Sequence, residues 1–146
     1  MIYKPLDDDL EILLNEKYKD WAGKHIHKGA DGFTLVAYDE GPVGFVSVYK
    51  KHLPSPLEKI SEAFIDVLKV DDDYKRKGIG SKLVSECEQW AQSQGLYQIR
   101  AWSSMDKVEV LPLWHHLGYT LNPAEIWIER CEEVVKGVYV SRRFYE

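Results

Sequence analysis

The segment of this sequence with the clearest chemical potential is a glycine turn between an apolar strand and an amphipathic helix. It runs Lys75-Arg-Lys-Gly-Ile-Gly80, with Lys82 close behind. Glycine lets a backbone approach a ligand closely, and the first turn of a helix leaves N–H groups unpaired at the positive end of the helix dipole. With the adjacent cationic side chains, this pattern favours a bound phosphate group. A helix start with solvated lysines is the alternative interpretation.

Two familiar phosphate motifs do not match this turn. No second glycine pair completes a P-loop, and Leu83 stands where a dinucleotide fingerprint has its third glycine. The turn therefore predicts an anion site of another kind.

The turn and its flanks resemble the GNAT acetyltransferase superfamily. The hallmark of that family is Arg or Gln, two residues, Gly, one residue, then Gly or Ala; here Lys75 departs from the first position, while Gly78 and Gly80 match the others. Residues 65–70 resemble the family's fourth strand, and Leu117-Gly-Tyr119 resembles the Leu-Gly-Phe that closes its fourth helix. The order of the predicted elements extends the likeness to both ends of the chain.

The resemblance implies a fold and a co-substrate. The fold is α/β (α+β), with a mixed, mostly antiparallel sheet whose splayed central parallel strands are flanked by helices. The co-substrate is acetyl-coenzyme A, whose pyrophosphate would lie on the glycine turn and whose pantetheine arm would bond to strand backbone as an added strand does. The cofactor-binding residues that the resemblance implies are Leu68, Val70, Lys75, Arg76, Lys77, Gly78, Ile79, Gly80 and Ser81.

Acetyl transfer to an amine needs a proton acceptor, because an ammonium group is charged at neutral pH. Asp66 aligns with a position where many family members carry Glu, and it is the predicted catalytic residue. An equal alternative is that Asp66 is a hydrogen-bonded carboxylate of the strand with no role in catalysis. Glu62, just before the strand, is a weaker candidate.

The proton donor of many family members is a Tyr in the fourth helix, and Trp114 occupies that position here. An indole N–H donates a hydrogen bond but is not a practical proton source. His115, His116 and Tyr139 are candidate substitutes. The Asn that often precedes the helix is Lys107 in this chain.

These features predict an N-acetyltransferase that moves an acetyl group from acetyl-coenzyme A to a primary amine of a small molecule or protein. The absent Tyr and Asn motivate an alternative from another class, a non-catalytic acyl-coenzyme A binding or regulatory module. A nucleotide-binding protein that uses the same glycine turn is a third hypothesis.

Composition limits the partners. The 146 residues and formal net charge of -5 suit one domain, residues 1–146, with no basic stripe for nucleic acid. The sequence has neither an apolar run of about 20 residues nor an N-terminal signal, which predicts a cytoplasmic protein without a membrane segment. A homodimer is left open.

Histidines and cysteines do not have metal-site spacing. Cys87 and Cys131 stand alone and are predicted to be buried free thiols. His25 and His27 are interpreted as surface residues. No metal site is predicted.

The remaining pattern supplies the elements that position these residues. Helical apolar spacing covers residues 5–24, where Asp7 and its neighbours favour the helix start. The amphipathic helix after the glycine turn should stop at Gly95 and should join two parallel strands. A second helix, with a capping box at Asp106 and Glu109, should end near Gly118. Strands are predicted at residues 33–38, 43–49, 63–70 and 97–102, and around 126–131 and 138–144.

Overall fold

The computed structural model describes residues 1–104 and 111–144, which form a mixed sheet with helices on both faces. The helices are α1 (Asp8–Tyr18), α2 (Asp20–Gly23), α3 (Ile79–Ser93) and α4 (Leu111–His116). The strands are β1 (Ile2–Pro5), β2 (Gly32–Tyr38), β3 (Pro42–His52), β4 (Ser61–Val70), β5 (Gln98–Ser104), β6 (Thr120–Ile128) and β7 (Glu133–Arg143). No helix in the two described ranges is long and apolar enough to cross a membrane.

The strands lie in the order β1-β2-β3-β4-β5-β7-β6, and β4–β5 is the parallel pair among otherwise antiparallel neighbours. This confirms the predicted mixed, mostly antiparallel sheet. The parallel pairing runs from Ala63 opposite Ile99 to Ile65 opposite Ala101 and stops there. Both strands continue further, β4 to Val70, so they separate into a splayed pair.

Each face of the sheet carries its own apolar core. On one face α3 packs Leu83, Val84 and Cys87 against residues of β3, β4 and β5. On the other face α1 packs Leu10 and Leu14 against neighbouring strand residues. Because successive strand residues point to opposite faces, the sheet serves both cores and fixes the helices relative to the β4–β5 opening.

The first helical region is shorter and more broken than residues 5–24 predicted. Asp7 caps α1, its Oδ1 accepting from the Leu10 N–H at 2.8 Å, as its position at the helix start indicated. The helix then breaks at Lys19, whose φ of 63° lies in the left-handed region and separates α1 from α2. The sequence did not predict β1, because four residues are too few to show strand alternation and only pairing with β2 defines them.

The last hairpin also differs from prediction. Strand β6 spans Thr120–Ile128 rather than the region around residues 126–131. Strand β6 contains Pro123 and lies at the sheet edge, where proline is tolerated. Cys87 is buried as predicted, and burial raises the pKa of its thiol, whereas Cys131 is exposed, contrary to prediction. The capping box at Asp106 and Glu109, and Lys107 between them, lie outside the described residues.

Candidate active site

The start of α3 is an open helix end that suits an anion. Gly78 precedes the helix in the left-handed conformation, with φ 79°, and no side chain caps the first turn. The first turn also contains no acidic residue. The first helical bond of this end runs from the Lys82 N–H to the Gly78 carbonyl at 3.0 Å. The N–H groups of Ile79, Gly80 and Ser81 precede that bond and are available to a ligand.

A cavity of about 580 Å³ lies at this helix end. All the predicted cofactor-binding residues except Lys77 line it. The Nζ of Lys77 instead lies 4.9 Å from the centre of the Tyr74 ring. Leu113, from α4, also lines the cavity and was not predicted, because its contact depends on the packing of α4 beside α3. The lining residues are Leu68, Lys69, Val70, Tyr74, Lys75, Arg76, Gly78, Ile79, Gly80, Ser81 and Leu113.

A second cavity, of about 640 Å³, occupies the opening between β4 and β5. Leu68 and Lys69 line both cavities, so the two adjoin along β4. Beyond Ile65 the backbone edge of β4 that faces β5 has no strand partner among residues 1–104 and 111–144. An extended ligand can therefore lie along that edge with its anionic part at α3 and its other end in the cleft. The cleft residues are Tyr18, Trp21, His25, Ile65, Asp66, Val67, Leu68, Lys69, Ala101, Trp102, Ser103 and Trp114.

Asp66 reaches the cleft because β4 bulges there. Ser47 pairs with Val67 and the next residue of β3 pairs with Ile65, which leaves Asp66 without a partner in the ladder. Such a bulge changes the direction of a side chain. The structure therefore brings the predicted catalytic residue into the same cleft that the β4 edge borders.

Two histidines bond to the Asp66 carboxylate. His25 Nδ1 lies 3.2 Å from each carboxylate oxygen, and His27 Nε2 lies 2.8 Å from Oδ2. An ionised carboxylate only accepts, so both ring nitrogens donate. These histidines, interpreted as surface residues, are partly exposed, with 37% and 29% of their side chains accessible, and both are engaged with Asp66. Their i, i+2 spacing was the one local signal that they could share a partner.

Glu62 is occupied elsewhere. Its side chain is fully buried, and its oxygens accept from Arg100 Nε at 2.9 Å, from Arg100 Nη2 at 2.7 Å and from the Gln98 amide. With these partners the Glu62 carboxylate forms a buried ion pair and does not face the cleft. Glu62 is therefore a structural residue.

Trp114 is buried and lines the cleft, with its ring centre 4.9 Å from that of Tyr119. The Tyr119 hydroxyl donates to Glu88 at 2.7 Å, and burial, with the Glu88 charge, raises the pKa of that phenol. His115 and His116 are exposed and line neither cavity. None of these tyrosine or histidine side chains therefore presents a readily lost proton to the cleft.

Three other hydroxyl-bearing side chains lie in the cleft wall or pack against it. Tyr139 packs edge to face on Trp102, with ring centres 4.9 Å apart, and does not itself line the cavity. Tyr18 does line it, but its hydroxyl donates to Asp71 at 2.7 Å, and burial is the main cause that raises its pKa. The buried Ser103 hydroxyl also lines the cleft and has no hydrogen-bond partner in the described part of the chain. Sequence reasoning did not identify Ser103, because nothing in its local pattern distinguishes it from a strand residue.

An uncapped helix end beside a splayed parallel pair defines an α/β domain suited to an extended, anionic ligand. A model of the acetyltransferase (GNAT) family matches residues 3–119. The chain therefore belongs to that family. It is also 28% identical over 145 residues to an uncharacterized N-acetyltransferase of Methanocaldococcus jannaschii, a match that covers 90% of this chain and 59% of that relative.

Solved structures share the fold. Arabidopsis thaliana NAA60 in complex with a bisubstrate analogue matches with a TM-score of 0.78 at 13% identity, covering 97% of each chain. The same protein in complex with acetyl-CoA matches with a TM-score of 0.75, at 13% identity and 98% coverage of each chain. An aminoglycoside 6'-N-acetyltransferase complexed with coenzyme A matches with a TM-score of 0.70 at 16% identity, covering 100% of this chain and 98% of that one.

Within the described residues, no group of three His, Cys, Asp or Glu side chains is arranged to hold a metal ion.

Proposed function

We propose that this chain is an N-acetyltransferase that moves the acetyl group of acetyl-coenzyme A to a primary amine of a small molecule or protein. The observation that carries the proposal is the junction of the two cavities at Leu68 and Lys69. It connects an anion site at the start of α3 with a cleft that contains a carboxylate and an imidazole.

The residues of the first cavity suit a coenzyme A pyrophosphate. The N–H groups at the start of α3 would bind it, with positive charge from Lys75 and Arg76 nearby. The backbone of Leu68 and Val70 would bond to the pantetheine arm along the unpaired edge of β4. The thioester that the bound molecule supplies would then lie in the cleft. Lys77 would contribute charge only from outside the cavity.

The cleft favours a cationic acceptor. Asp66 supplies negative charge, and Trp21, which is 46% exposed, and Trp102 supply ring faces. An ammonium group is attracted to both kinds of partner. The solved relatives include an aminoglycoside 6'-N-acetyltransferase and NAA60 with a bisubstrate analogue, which supports an amine as the acceptor class.

Thiol release from acetyl-coenzyme A, measured against a panel of aminosugars, polyamines and peptides with free amino groups, tests the proposal. We expect turnover with at least one class of amine. Mass spectrometry of the product should show one added acetyl group. Thiol release that is equal with and without every amine would contradict transfer.

The alternative is a non-catalytic acyl-coenzyme A binding or regulatory module. It is favoured by one observation, the buried Trp114 in place of the hydroxyl-bearing side chain that the family resemblance implies. Calorimetry with coenzyme A separates the two functions. Tight binding of the cofactor, combined with no turnover on the whole panel, would favour the module.

A further inference from the structure

The Asp66 carboxylate bonds to two imidazoles, and the contacts around one of them restrict its movement more than those around the other. One of them, His27, is held by contacts of both its backbone and its ring. Its backbone N–H donates to the Ser47 hydroxyl at 2.8 Å, its carbonyl accepts from Thr34 at 2.7 Å, and its ring stacks on Tyr49 with ring centres 4.2 Å apart. Because His27 cannot easily move, its bond to Oδ2 fixes the carboxylate in place.

The second imidazole, His25, borders the cleft, whereas His27 does not. Its Nδ1 is the nitrogen that meets both oxygens of Asp66, so Nε2 is left for another partner. The Trp21 ring flanks it with ring centres 5.9 Å apart, and its backbone N–H donates to Ala22 at the end of α2. A carboxylate that binds Nδ1–H selects the tautomer in which Nε2 carries a lone pair.

We propose that His25 removes the proton from the acceptor ammonium, and that Asp66 acts as its positioning residue rather than as the base. This proposal rests on the proposed acetyl transfer and names a residue for one of its steps. Histidine side chains in model peptides titrate near pH 6.5 and those of aspartate near 3.9. An imidazole is therefore the better matched acceptor for an ammonium proton at neutral pH.

The step balances without a further reagent. The acceptor ammonium gives one proton to His25 Nε2 and becomes a neutral amine with a free lone pair. That lone pair forms the C–N bond at the thioester carbonyl carbon as the C–S bond breaks, with its electron pair going to sulfur. The second nitrogen proton passes to the thiolate, which leaves an amide and a thiol, and His25 returns its proton to solvent.

The groups around this pair set its pH response. Asp66 and Lys69 face the cleft from β4, and Tyr18 faces it from α1. His27 lies on the far side of the carboxylate, above Tyr49 of β3. Burial raises the pKa of Tyr49, and the charge of Asp66 adds to the effect, so this phenol stays neutral near neutral pH. Since the base must be unprotonated to accept a proton, the rate should rise with pH.

The tautomer is testable without turnover. Nitrogen chemical shifts of the histidine rings, measured by NMR on the full chain at alkaline pH, should show His25 protonated at Nδ1 and bare at Nε2. In Asp66→Asn the amide can donate to Nδ1, so the proton should move to Nε2. A wild-type His25 that carries its proton on Nε2, or that stays doubly protonated at alkaline pH, would overturn the proposal.

The rate provides the second test. We expect His25→Ala to lower kcat on the order of 100-fold or more and to lose the rise of rate with pH, and added imidazole should restore part of the rate. His52→Ala is the matched control, since His52 is exposed at the end of β3 and bonds to Ser61, and imidazole should not accelerate it. An active wild type whose His25→Ala variant keeps its rate and pH profile overturns the role of His25 alone. A wild type that transfers acetyl to no amine overturns the proposed function as well.

Discussion

At the scale of single residues, the two carboxylates of β4 have different surroundings although they share a strand and a face of the sheet. Glu62 is fully buried beneath Arg100 and Gln98. Asp66 is 26% exposed, points from a bulge into the cleft and bonds to His25 and His27. Burial and partners, rather than residue type, therefore assign the first to stability and the second to the site.

Replacing Arg100 with Met would leave the buried carboxylate of Glu62 without its cation. We expect the free energy of unfolding to fall by about 3–5 kcal/mol, because an unpaired buried charge is strongly unfavourable. Urea unfolding of the variant and the wild type measures the loss. Lys28→Met is the control, since it removes the cation of the exposed Lys28–Glu11 pair and should change stability little. Equal losses in the two variants would contradict a structural role for the Glu62 pair.

At the scale of elements, the starts of α1 and α3 differ in whether a side chain caps them. The start of α1 is closed by the Asp7 side chain, and this helix leads to Tyr18 at the wall of the cleft. The start of α3 has no side-chain cap and opens into a cavity. The Leu10 N–H at the first helix end is satisfied within the protein, and the N–H groups of the second face a cavity.

Asp7→Ala removes the cap of α1. We expect a loss of about 1 kcal/mol in the free energy of unfolding, which is typical for a lost N-cap bond. Asp9→Ala, in the same first turn, is the matched control. It should lose less free energy of unfolding, because the Asp9 carboxylate acts on α1 through its charge at the positive end of the helix dipole. Denaturant titration followed by circular dichroism gives both values. The cap would be unimportant if Asp9→Ala cost as much as Asp7→Ala.

Gly80→Glu places a carboxylate at the open end of α3. A Cβ at Gly80 would lie 3.4 Å from Leu113 Cδ2, a tight but tolerable contact, and an acidic side chain suits the first turn of a helix, so the fold should persist. Affinity for coenzyme A should fall on the order of 100-fold, since the new charge repels the pyrophosphate. Calorimetry measures the change, with Gln92→Glu, exposed on the same helix, as the control of equal charge. Unchanged affinity in Gly80→Glu would contradict the assignment of the pyrophosphate site.

At the scale of the whole molecule, the proposed ligand would connect parts of the fold that the sheet alone does not join. The β4–β5 pairing stops at Ile65, and the cleft beyond it is closed by residues from α1, α2 and α4, among them Trp21 and Trp114. The chain is predicted to be one domain, and a ligand along β4 would contact both sides of the opening. Binding should therefore stabilise the folded chain as a unit.

Coenzyme A at 100 times its Kd should raise the free energy of unfolding by about 2.7 kcal/mol. ATP at the same concentration should stabilise the chain less, because it has no pantetheine arm for the β4 edge. Thermal unfolding in the presence of each ligand compares them, and Gly80→Glu should reduce the effect of coenzyme A. Equal shifts with ATP and coenzyme A would instead support the hypothesis of a nucleotide-binding protein.

Local signals determined much of this protein from sequence. The unit from β4 through α3 to β5 was predictable because its strands are apolar, its helix has one apolar stripe, and Gly78 and Gly95 adopt the positive φ angles that their positions at the helix ends require. The proposed anion site lies within this unit, so its candidate residues are neighbours in sequence and could be named in advance. The short edge strand β1 and the proline-bearing β6 were missed or misplaced because pairing, rather than pattern, makes them strands.

Only the tertiary structure decided the surroundings of Asp66. His25 and His27 lie some 40 positions away in sequence and reach the carboxylate because α2 and the segment after it pack over the bulge of β4. The pairing of β5 with β4 put Glu62 under Arg100, and the packing of α4 left His115 and His116 exposed. Such contacts depend on how separate elements pack against each other. Burial and hydrogen bonding between residues distant in sequence cannot be predicted from a local sequence pattern. The amino-acid sequence thus predicted the residues that gather at the open start of α3, and folding determined which polar side chains share the cleft beside it.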